Sequence, residues 1–334
     1  MPDSVELNIE KVLMGSPLEN SESAICDYTL EEQNATLEIQ GVKPSISPNF
    51  KPVLKETVTY VVAVLVINEQ NEVLMIQEAK ESCAGKWYLP AGRVDKNETL
   101  YDAAIREVLE ETGLIVECTT LLKVECAKGF WVRFSYIGHV TGGKLKTVSQ
   151  ADQESLQAKW IGDLNEVTLR ADDILPLIER AREYKNRQHN SGWHENIMVG
   201  LLSHDRILLR LVVVIRKKST NRVHVLLSEK TSWHLPVCEI HPAKSLHSTL
   251  RRFMVDLFGA GVPIHKPHGI LSVEHHYSNG DGLCITLLVV FKPPLEEVPI
   301  IGKCVWHETS TELGDNLLQR VSNKNSTIPL HVIC

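Results

Sequence analysis

The feature that most constrains the fold is a set of glutamates at fixed spacing inside a stretch with helical periodicity. Glu107, Glu110 and Glu111 stand at i, i+3 and i+4, so in an α-helix, which turns by about 100° per residue, all three project from one face. The apolar positions of the same stretch fall on a different face, which can pack against a sheet. The sequence therefore predicts a surface helix at residues 100–111 whose carboxylates gather on one side.

Three carboxylates on one surface need a compensating positive charge. Each close pair repels by roughly 1 kcal/mol or more, depending on the effective dielectric constant. Mg²⁺ prefers oxygen ligands, keeps several water molecules and bridges phosphates, and a carboxylate beside such a water can act as its general base. A solvent-exposed acidic helix face is the alternative, because most glutamate-rich helix segments are no more than that. The spacing of the neighbouring residues favours the metal site.

The neighbouring residues complete a pattern of nine positions. Four polar or glycine residues and two apolar residues accompany the glutamates: Gly92, Glu98, Arg106, Gly113, Val108 and Leu114. In this pattern, G-x5-E-x7-R-E-U-x-E-E-x-G-U with U a bulky apolar residue, the chain resembles the Nudix hydrolases. The resemblance implies a mixed α/β fold, an α/β/α sandwich in which the box forms a loop, a helix and a second loop. It also implies a substrate in which a nucleoside diphosphate is linked to a further group.

The resemblance also assigns roles within the box. It implies metal binding and activation of water by Glu107, Glu110 and Glu111, assistance by the carbonyl oxygen of Gly92, and bracing of the loop by Glu98 and Arg106. The metal would be Mg²⁺ or Mn²⁺. Many members of the family add an acidic metal ligand from a later loop, and Glu154 is the candidate here. A solvated loop glutamate is the alternative interpretation of Glu154.

Longer segments around the box narrow the expected substrate. Over about residues 57–190, and more loosely in its second half, the chain is similar to the animal MutT-homologue branch of the family. The similarity is carried by IQEAKESCAGKWYLPAGRV, FWVRFSYIGHVTGGKLKT, ADQESLQAKW and LRADDILPLIERA. It implies hydrolysis of 8-oxo-dGDP and related oxidised purine nucleoside diphosphates to the monophosphate and phosphate, which removes damaged nucleotides from the pool.

Four residues are candidates for recognition of the base. An oxidised purine differs from guanine by an N7–H donor and an O8 acceptor, so its pocket needs an aromatic surface and a few polar groups. The branch implies an acidic pair on a late loop, and Asp172 and Asp173 stand at the matching place. Asp172 could instead cap the helix predicted to begin there. Tyr88 and Trp131 could stack on the base, or could be ordinary core or strand residues.

Two other functions remain open at this point. The box specifies the reaction centre and not the attached group, so the substrate could be ADP-ribose, a dinucleotide or a capped nucleotide. The protein could also be a nucleotide- or partner-binding module. This possibility is suggested by a second copy of the box region, at residues 233–260, that lacks the box. The intact carboxylates of the first copy argue against a module without catalysis.

The chain carries an internal repeat. Residues 87–114 and 233–260 share six identities over 28 aligned positions: Trp87/Trp233, Leu89/Leu235, Pro90/Pro236, Leu100/Leu246, Arg106/Arg252 and Gly113/Gly259. Among the replaced residues of the box, Cys238 stands for Gly92, Lys244 for Glu98, Phe253 for Glu107 and Leu257 for Glu111, and only Asp256, opposite Glu110, is acidic. A site without those carboxylates cannot hold the same metal. We therefore expect a second, degenerate Nudix-like domain without chemistry.

Changes of pattern along the chain predict five segments. They are an irregular N-terminal segment at residues 1–55, a catalytic domain at 56–184, a linker at 185–196, the degenerate domain at 197–320 and a C-terminal tail at 321–334. The first segment has weak periodicity, and the linker sequence YKNRQHNSGWHEN is polar and aperiodic.

Composition narrows the partners to small molecules. The net charge of −7 without a basic stripe argues against a nucleic-acid polymer, and no apolar run approaches the ~18 residues of a membrane helix. The acidic start of the chain resembles neither a secretory nor a transit peptide. Eight cysteines without metal-ligand spacing indicate reduced thiols. We therefore expect a cytoplasmic or nuclear protein with a nucleotide substrate and no membrane partner.

Overall fold

The computed structural model describes residues 2–18, 25–127, 130–187, 192–194 and 196–333. The chain divides into two compact units. The box unit comprises Thr59–Glu125 and Val132–Ile197, and the second unit comprises Met1–Val58, Cys126–Trp131 and Met198–Cys334.

Helices and strands alternate along the chain. In the described residues the α-helices are α1 Pro2–Leu13, α2 Leu30–Ile39, α3 Leu100–Thr112, α4 Leu175–Lys185, α5 Leu246–Phe258 and α6 Thr311–Ser322. The strands are β1 Thr59–Val66, β2 Val73–Glu78, β3 Trp87–Tyr88, β4 Ala91–Arg93, β5 Leu114–Ala127, β6 Trp131–Gly143, β7 Ser155–Ile161, β8 Ile207–Arg216, β9 Val223–Ser228, β10 Val237–Glu239, β11 His265–Glu274, β12 Leu283–Phe291, β13 Cys304–Glu308 and β14 Leu330–Val332. Short 3-10 turns lie at Glu81–Cys83, Val148–Gln150, Leu164–Glu166, Asp172–Ile174 and Leu295–Glu297.

The box unit contains two sheets with helices packed on them. In one sheet the strand order is β5, β6, β1, β4, and the other has the order β3, β2, β7. Strand β4 runs antiparallel to β1, with Gly92 opposite Val62. A core of buried side chains from β1, β2, β5 and α4 includes Leu65, Met75 and Ile178. The mixed α/β architecture expected from the sequence is thus confirmed.

Helix α3 has well-defined signals at both ends. The side chain of Thr99 accepts a hydrogen bond from the backbone N–H of Asp102 and so caps the N-terminus. Gly113 follows the helix with a φ of 73°, a left-handed conformation that glycine adopts without strain. The predicted helix at residues 100–111 is therefore confirmed to within one residue.

The second unit repeats the strand arrangement of the box unit. Its strand order is β11, β12, β8, β9, β13, with β10 paired to β8. Strand β10 is antiparallel to β8 and β13 is antiparallel to β9, as β4 is to β1 and β7 is to β2 in the box unit. Cys238 lies opposite Leu209, which matches the position of Gly92 on β1. Helix α5 follows β10 as α3 follows β4, so the fold contains a second Nudix-like arrangement.

The N-terminal segment is not irregular, and that prediction is wrong for two ranges. Helix α1 buries Val5, Ile9 and Val12 in the core of the second unit, at positions i, i+4 and i+7 of one helix face. Helix α2 begins at a capping box between Thr29 and Glu32. Its weak amphipathicity hid it in the sequence, because most of its positions are polar.

The predicted linker and tail also contain ordered structure. Residues 188–191 and 195 of the linker lie outside the described residues. Trp193 and His194 pack against Tyr184 of α4, with ring centroids 5.4 and 5.7 Å from that of Tyr184. In the predicted tail, Ile328 is buried and forms a bridge with Ile270. Aromatic and apolar contacts thus extend both units beyond the predicted boundaries.

No helix in the described part of the chain is long and apolar enough to cross a membrane. The seven cysteines for which the structure gives positions are all free thiols.

Candidate active site

Gly92 lets the β4 backbone approach the box helix closely. A Cβ atom at this position would lie 1.9 Å from the Cδ atom of Glu107, far inside van der Waals contact. The close approach buries the Glu107 side chain, which is 10% exposed, against the strand. The box glycine is therefore required by packing as well as by the pattern.

Arg106 connects the carboxylates of the box. Its guanidinium forms two hydrogen bonds with Glu98, of 3.0 Å from Nε and 2.7 Å from Nη2. Nη1 lies 2.9 Å from Glu107 Oε1 and 3.0 Å from Glu110 Oε2. Glu98 in turn accepts a 2.6 Å hydrogen bond from the backbone N–H of Asp95. Arg106 thus connects the loop that carries Glu98 to the box helix, and the bracing role of the two residues stays a prediction.

Burial and repulsion raise the pKa of two box glutamates. Desolvation is the main cause at Glu111, opposed by a 2.9 Å hydrogen bond from the backbone N–H of Ala91. Desolvation also raises the pKa of Glu107, opposed by Arg106 and reinforced by the charges of Glu110 and Glu154. Both groups are thus short of positive charge, and an added cation would favour their ionised forms.

Glu110 and Glu154 are the more accessible acidic groups. The Glu110 side chain is 45% exposed. Glu154 is half-buried in the loop before β7, and its backbone N–H donates to Asp152 Oδ1 at 2.9 Å. The loop is fixed to the C-terminal end of α3 because Ser155 Oγ donates to the Glu111 carbonyl at 2.6 Å. The loop therefore brings Glu154 close enough for its charge to affect Glu107.

The donor set of the box fits a hard divalent cation. Carboxylate oxygens that are buried, mutually repelling and packed on a glycine suit Mg²⁺ or Mn²⁺. Arg106 contacts two of these carboxylates. In the described residues the box glutamates do not form a cluster with all ligand atoms within 4.8 Å of one another. The one such cluster found there is His204, Glu274 and Cys284, where Arg210 already neutralises Glu274 at 2.8 Å.

The predicted base-binding residues Tyr88 and Asp173 meet at a buried arginine. Arg133 Nη1 lies 2.6 Å from Asp173 Oδ2 and 2.8 Å from the Tyr88 hydroxyl, and the hydroxyl donates to the same Asp173 oxygen at 2.9 Å. Burial is the main cause that raises the pKa of Tyr88 to about 12, so the hydroxyl stays protonated. Arg133 also pairs with Glu125 at 2.7 Å.

Two details of the predicted base site differ from expectation, and a third stays a prediction. Tyr88 is 6% exposed and Arg170 lies over its ring at 4.4 Å, so the prediction that its ring stacks on a base is wrong. Asp172 does not cap α4, because the residue before that helix, Ile174, makes no side-chain capping bond. Trp131 is half-buried at the start of β6 and belongs to the second unit, and its role stays a prediction.

Sequence reasoning missed Arg133 and Arg170. Arg133 is 4% exposed among the buried residues 132–137 of β6, and a charged residue inside a buried strand is the signal that could have revealed it. Arg170 pairs with the buried Glu78 at 2.5 Å. Both arginines are fixed by contacts distant in sequence, so their partners could not be read from spacing.

The corresponding region of the second unit is apolar. Phe253, Leu257 and Cys238 are all at most 3% exposed where the box unit has Glu107, Glu111 and Gly92. Tyr28 bridges to Cys238 and stacks on Phe253 with a centroid separation of 6.2 Å. The residues that could hold a metal in the box unit are thus replaced by a packed core.

Comparison with known proteins agrees with the fold and the box. The sequence profile of the NUDIX domain matches residues 57–184. The chain belongs to the Nudix hydrolase family. It is 36% identical over 293 residues to the protein named 8-oxo-dGDP phosphatase NUDT18 of Homo sapiens, an alignment that covers 83% of this chain and 88% of that protein.

Two further relatives extend the comparison. The Danio rerio protein of the same name is 33% identical over 333 residues, which covers 93% of this chain and 98% of that protein. The putative nudix hydrolase 1 of Caenorhabditis elegans is 38% identical over 197 residues, or 53% of each chain. The similarity to the zebrafish protein therefore includes both units.

Proposed function

We propose that this protein hydrolyses oxidised purine nucleoside diphosphates, such as 8-oxo-dGDP and 8-oxo-GDP, and thereby sanitises the nucleotide pool. The oxygen of a water molecule bonds to phosphorus, the bridging phosphoanhydride bond breaks, and the nucleoside monophosphate and inorganic phosphate are released. The observation that carries the proposal is the packing of Glu107 against Gly92, with Glu111 bonded to the Ala91 N–H and the more exposed Glu110 on the same helix.

The box glutamates are the proposed ligands of the metal. Glu107, Glu110 and Glu111 would hold Mg²⁺ or Mn²⁺, with the Gly92 carbonyl and Glu154 as further ligands. A bound cation would supply positive charge beside the substrate phosphates and would lower the pKa of water there. Arg106 positions Glu107 and Glu110. One of the three box glutamates, in its ionised form, would accept the proton that water loses.

Asp173 is the proposed reader of the oxidised base. Tyr88 and Arg133 both contact its Oδ2 atom, which leaves Oδ1 to accept a hydrogen bond from the N7–H of an 8-oxo-purine. The side chain is 44% exposed, so a ligand can reach it. Tyr88 is a positioning residue in this proposal, and Asp172 is the adjacent acidic group of the predicted pair.

The relatives support this substrate class. The human and zebrafish relatives are named 8-oxo-dGDP phosphatases, and each alignment covers more than four-fifths of both chains. The free thiols of the seven described cysteines suit a reducing compartment, and we propose a cytoplasmic or nuclear location. Fractionation of cells that express the chain tests the location.

A substrate panel tests the proposal. Phosphate release is measured from 8-oxo-dGDP, 8-oxo-dGTP, dGDP and ADP-ribose with Mg²⁺, with Mn²⁺ and with EDTA. We expect the highest kcat/KM on 8-oxo-dGDP and no turnover in EDTA. A preference for ADP-ribose would move the substrate to another nucleoside diphosphate derivative within the same family. Inactivity on all four substrates would contradict the enzymatic proposal.

A further inference from the structure

A cleft in the second unit lies between helices α2 and α5. It has a volume of about 530 Å³, within the usual range for small-molecule sites. Helix α2 lines it with Gln33, Thr36 and Leu37, joined by Gln40 at the C-cap of that helix, and α5 lines it with Ser248, Arg251, Arg252 and Val255. Each set follows the i, i+3, i+4, i+7 spacing of a single helix face, so the two faces oppose each other across the cleft.

Arg252 on this face is the counterpart of Arg106 and has lost that arginine's partners. Arg106 is saturated by three carboxylates. Lys244 and Phe253 replace two of them in the second unit. Neither Arg252 nor its neighbour Arg251 forms an ion pair or side-chain hydrogen bond with any residue in the described ranges. Two guanidinium groups therefore line the cleft with their donors available.

Gln33 supplies a buried acceptor on the opposite wall. Its Nε2 donates to the carbonyl oxygens of Tyr28 at 3.2 Å and Glu239 at 2.8 Å, and two carbonyl acceptors fix which end of the amide is nitrogen. The side chain is 1% exposed, and its Oε1 has no hydrogen-bond partner in the described structure. An unpaired buried acceptor is costly, so a ligand with an N–H or O–H donor would stabilise it.

The charges and donors of the cleft select one class of ligand. Arg251 and Arg252 outnumber the single carboxylate of Asp256 in the lining, and guanidinium groups match phosphate oxygens in geometry. Thr36, Gln40 and Ser248 add further polar groups. We propose that the cleft between α2 and α5 binds a phosphate-bearing small molecule, with the phosphate on Arg251 and Arg252 and a donor group on Gln33.

This site is separate from the box, and it depends on the loss of the box carboxylates from the second copy. The same substitutions that remove metal ligands from the second copy leave Arg252 without two of the carboxylates that Arg106 contacts. The N-terminal helix α2 supplies the second wall, so residues 30–39 acquire a binding role. The ligand can be a nucleotide or inorganic phosphate, because both present the same phosphate chemistry.

Calorimetric titration of the full-length protein tests the site. The probes are dGMP, inorganic phosphate and deoxyguanosine, all in EDTA so that metal-dependent binding at the box is absent. We expect dGMP or phosphate to bind, and the Arg251→Gln/Arg252→Gln variant to lose at least about 10-fold in affinity. Tighter binding of dGMP indicates a nucleotide ligand, whereas equal binding indicates phosphate alone.

Matched controls separate this result from general effects of charge and folding. Arg216→Gln removes an exposed arginine at the end of β8 and should leave binding unchanged. The single variant Arg251→Gln, at an exposed position, should weaken binding without unfolding the chain. Binding of deoxyguanosine as tight as that of dGMP, absence of binding by both phosphate probes, or unchanged affinity in the double variant would overturn the proposal. Turnover of 8-oxo-dGDP is independent of these outcomes.

Discussion

At the scale of single residues, the box combines a close backbone approach with a shared arginine. Gly92 allows Glu107 to pack on β4, and Arg106 holds the loop through Glu98 while it contacts two of the helix glutamates. Arg106 therefore fixes Glu107 and Glu110 beside the loop that Glu98 anchors.

Substitution of Gly92 by alanine should distort the site. The added Cβ would fall 1.9 Å from Glu107 Cδ, and overpacking of this kind costs about 1–3 kcal/mol. We expect Gly92→Ala to lower the unfolding free energy and to abolish most turnover. Gly261→Ala is the matched control, because nothing lies within 4 Å of the Cβ position there. Equal stability and activity in the two variants would contradict the packing argument.

The sequence revealed the box residues and missed the residues that support the base site. Local spacing along one helix determines where Glu107, Glu110 and Glu111 project, so they could be predicted. Arg133 meets Asp173 from a strand 40 residues away, and only the tertiary fold brings them together. The sequence identified Tyr88 as an aromatic candidate, but it did not indicate that Arg170 covers the ring of Tyr88.

At the scale of elements, the N-terminal helices belong to the second unit. Helix α1 contributes Val5, Ile9 and Val12 to the core formed by strands of that unit. Tyr28 then extends along β10, because the Glu239 N–H donates to its carbonyl at 3.1 Å. The sequence suggested an irregular segment since these short elements are stabilised by tertiary packing rather than by strong intrinsic patterns.

A matched pair of substitutions on α1 tests this packing. Ile9 is fully buried, whereas Leu7 on the same helix is 51% exposed. Truncation of a buried isoleucine to alanine costs about 2–5 kcal/mol, so Ile9→Ala should lower the denaturant midpoint clearly. Leu7→Ala should change the free energy of unfolding by less than about 0.5 kcal/mol. A solvated N-terminal segment would instead give small, equal effects for both.

A buried carboxylate links the strands of the second unit and predicts acid sensitivity. Burial alone would raise the pKa of Glu274, but Arg210 and His204 outweigh it and lower the pKa from its ordinary 4.5 to about 2. Because the pKa of Glu274 is depressed in the folded state, its ionised carboxylate stabilises the fold above pH 4.5. This stabilisation is lost as the pH falls from 4.5 towards 2. The unfolding free energy should therefore drop over this window.

Glu274→Gln provides the comparison for the acid titration. The variant should be less stable than wild type at pH 7, because Arg210 loses its buried partner. It should also lose less of its remaining stability between pH 5 and 3. Parallel curves for the two proteins, measured by denaturant titration at each pH, would contradict the assignment.

At the scale of the whole molecule, the chain contains two copies of one arrangement with different contents. Six aligned identities and the order of the strands revealed the repeat in the sequence, because topology is carried by the apolar pattern of each strand. The attachment of residues 1–58 to the second unit could not be predicted, since it depends on contacts more than 200 residues apart. Catalysis is assigned to one copy only.

Removal of the box should therefore leave no metal-dependent turnover. In Glu110→Gln/Glu111→Gln the second unit stays intact, but its equivalent positions include the buried Phe253 and Leu257. We expect phosphate release from 8-oxo-dGDP to fall to the level of a no-enzyme control. Residual activity that depends on Mg²⁺ would show that the second unit is catalytic.

Hydrolysis of oxidised diphosphates by the box is tested most directly by the rate of phosphate release from 8-oxo-dGDP with Mg²⁺. The rate is measured beside that on dGDP, for wild type and for Glu111→Gln. We expect a higher kcat/KM on 8-oxo-dGDP than on dGDP, and a loss of about 100-fold or more in the variant, because it removes a carboxylate that is proposed to bind the metal. Equal rates on the two diphosphates would contradict the sanitising role. Unchanged turnover in Glu111→Gln would contradict the assignment of the box.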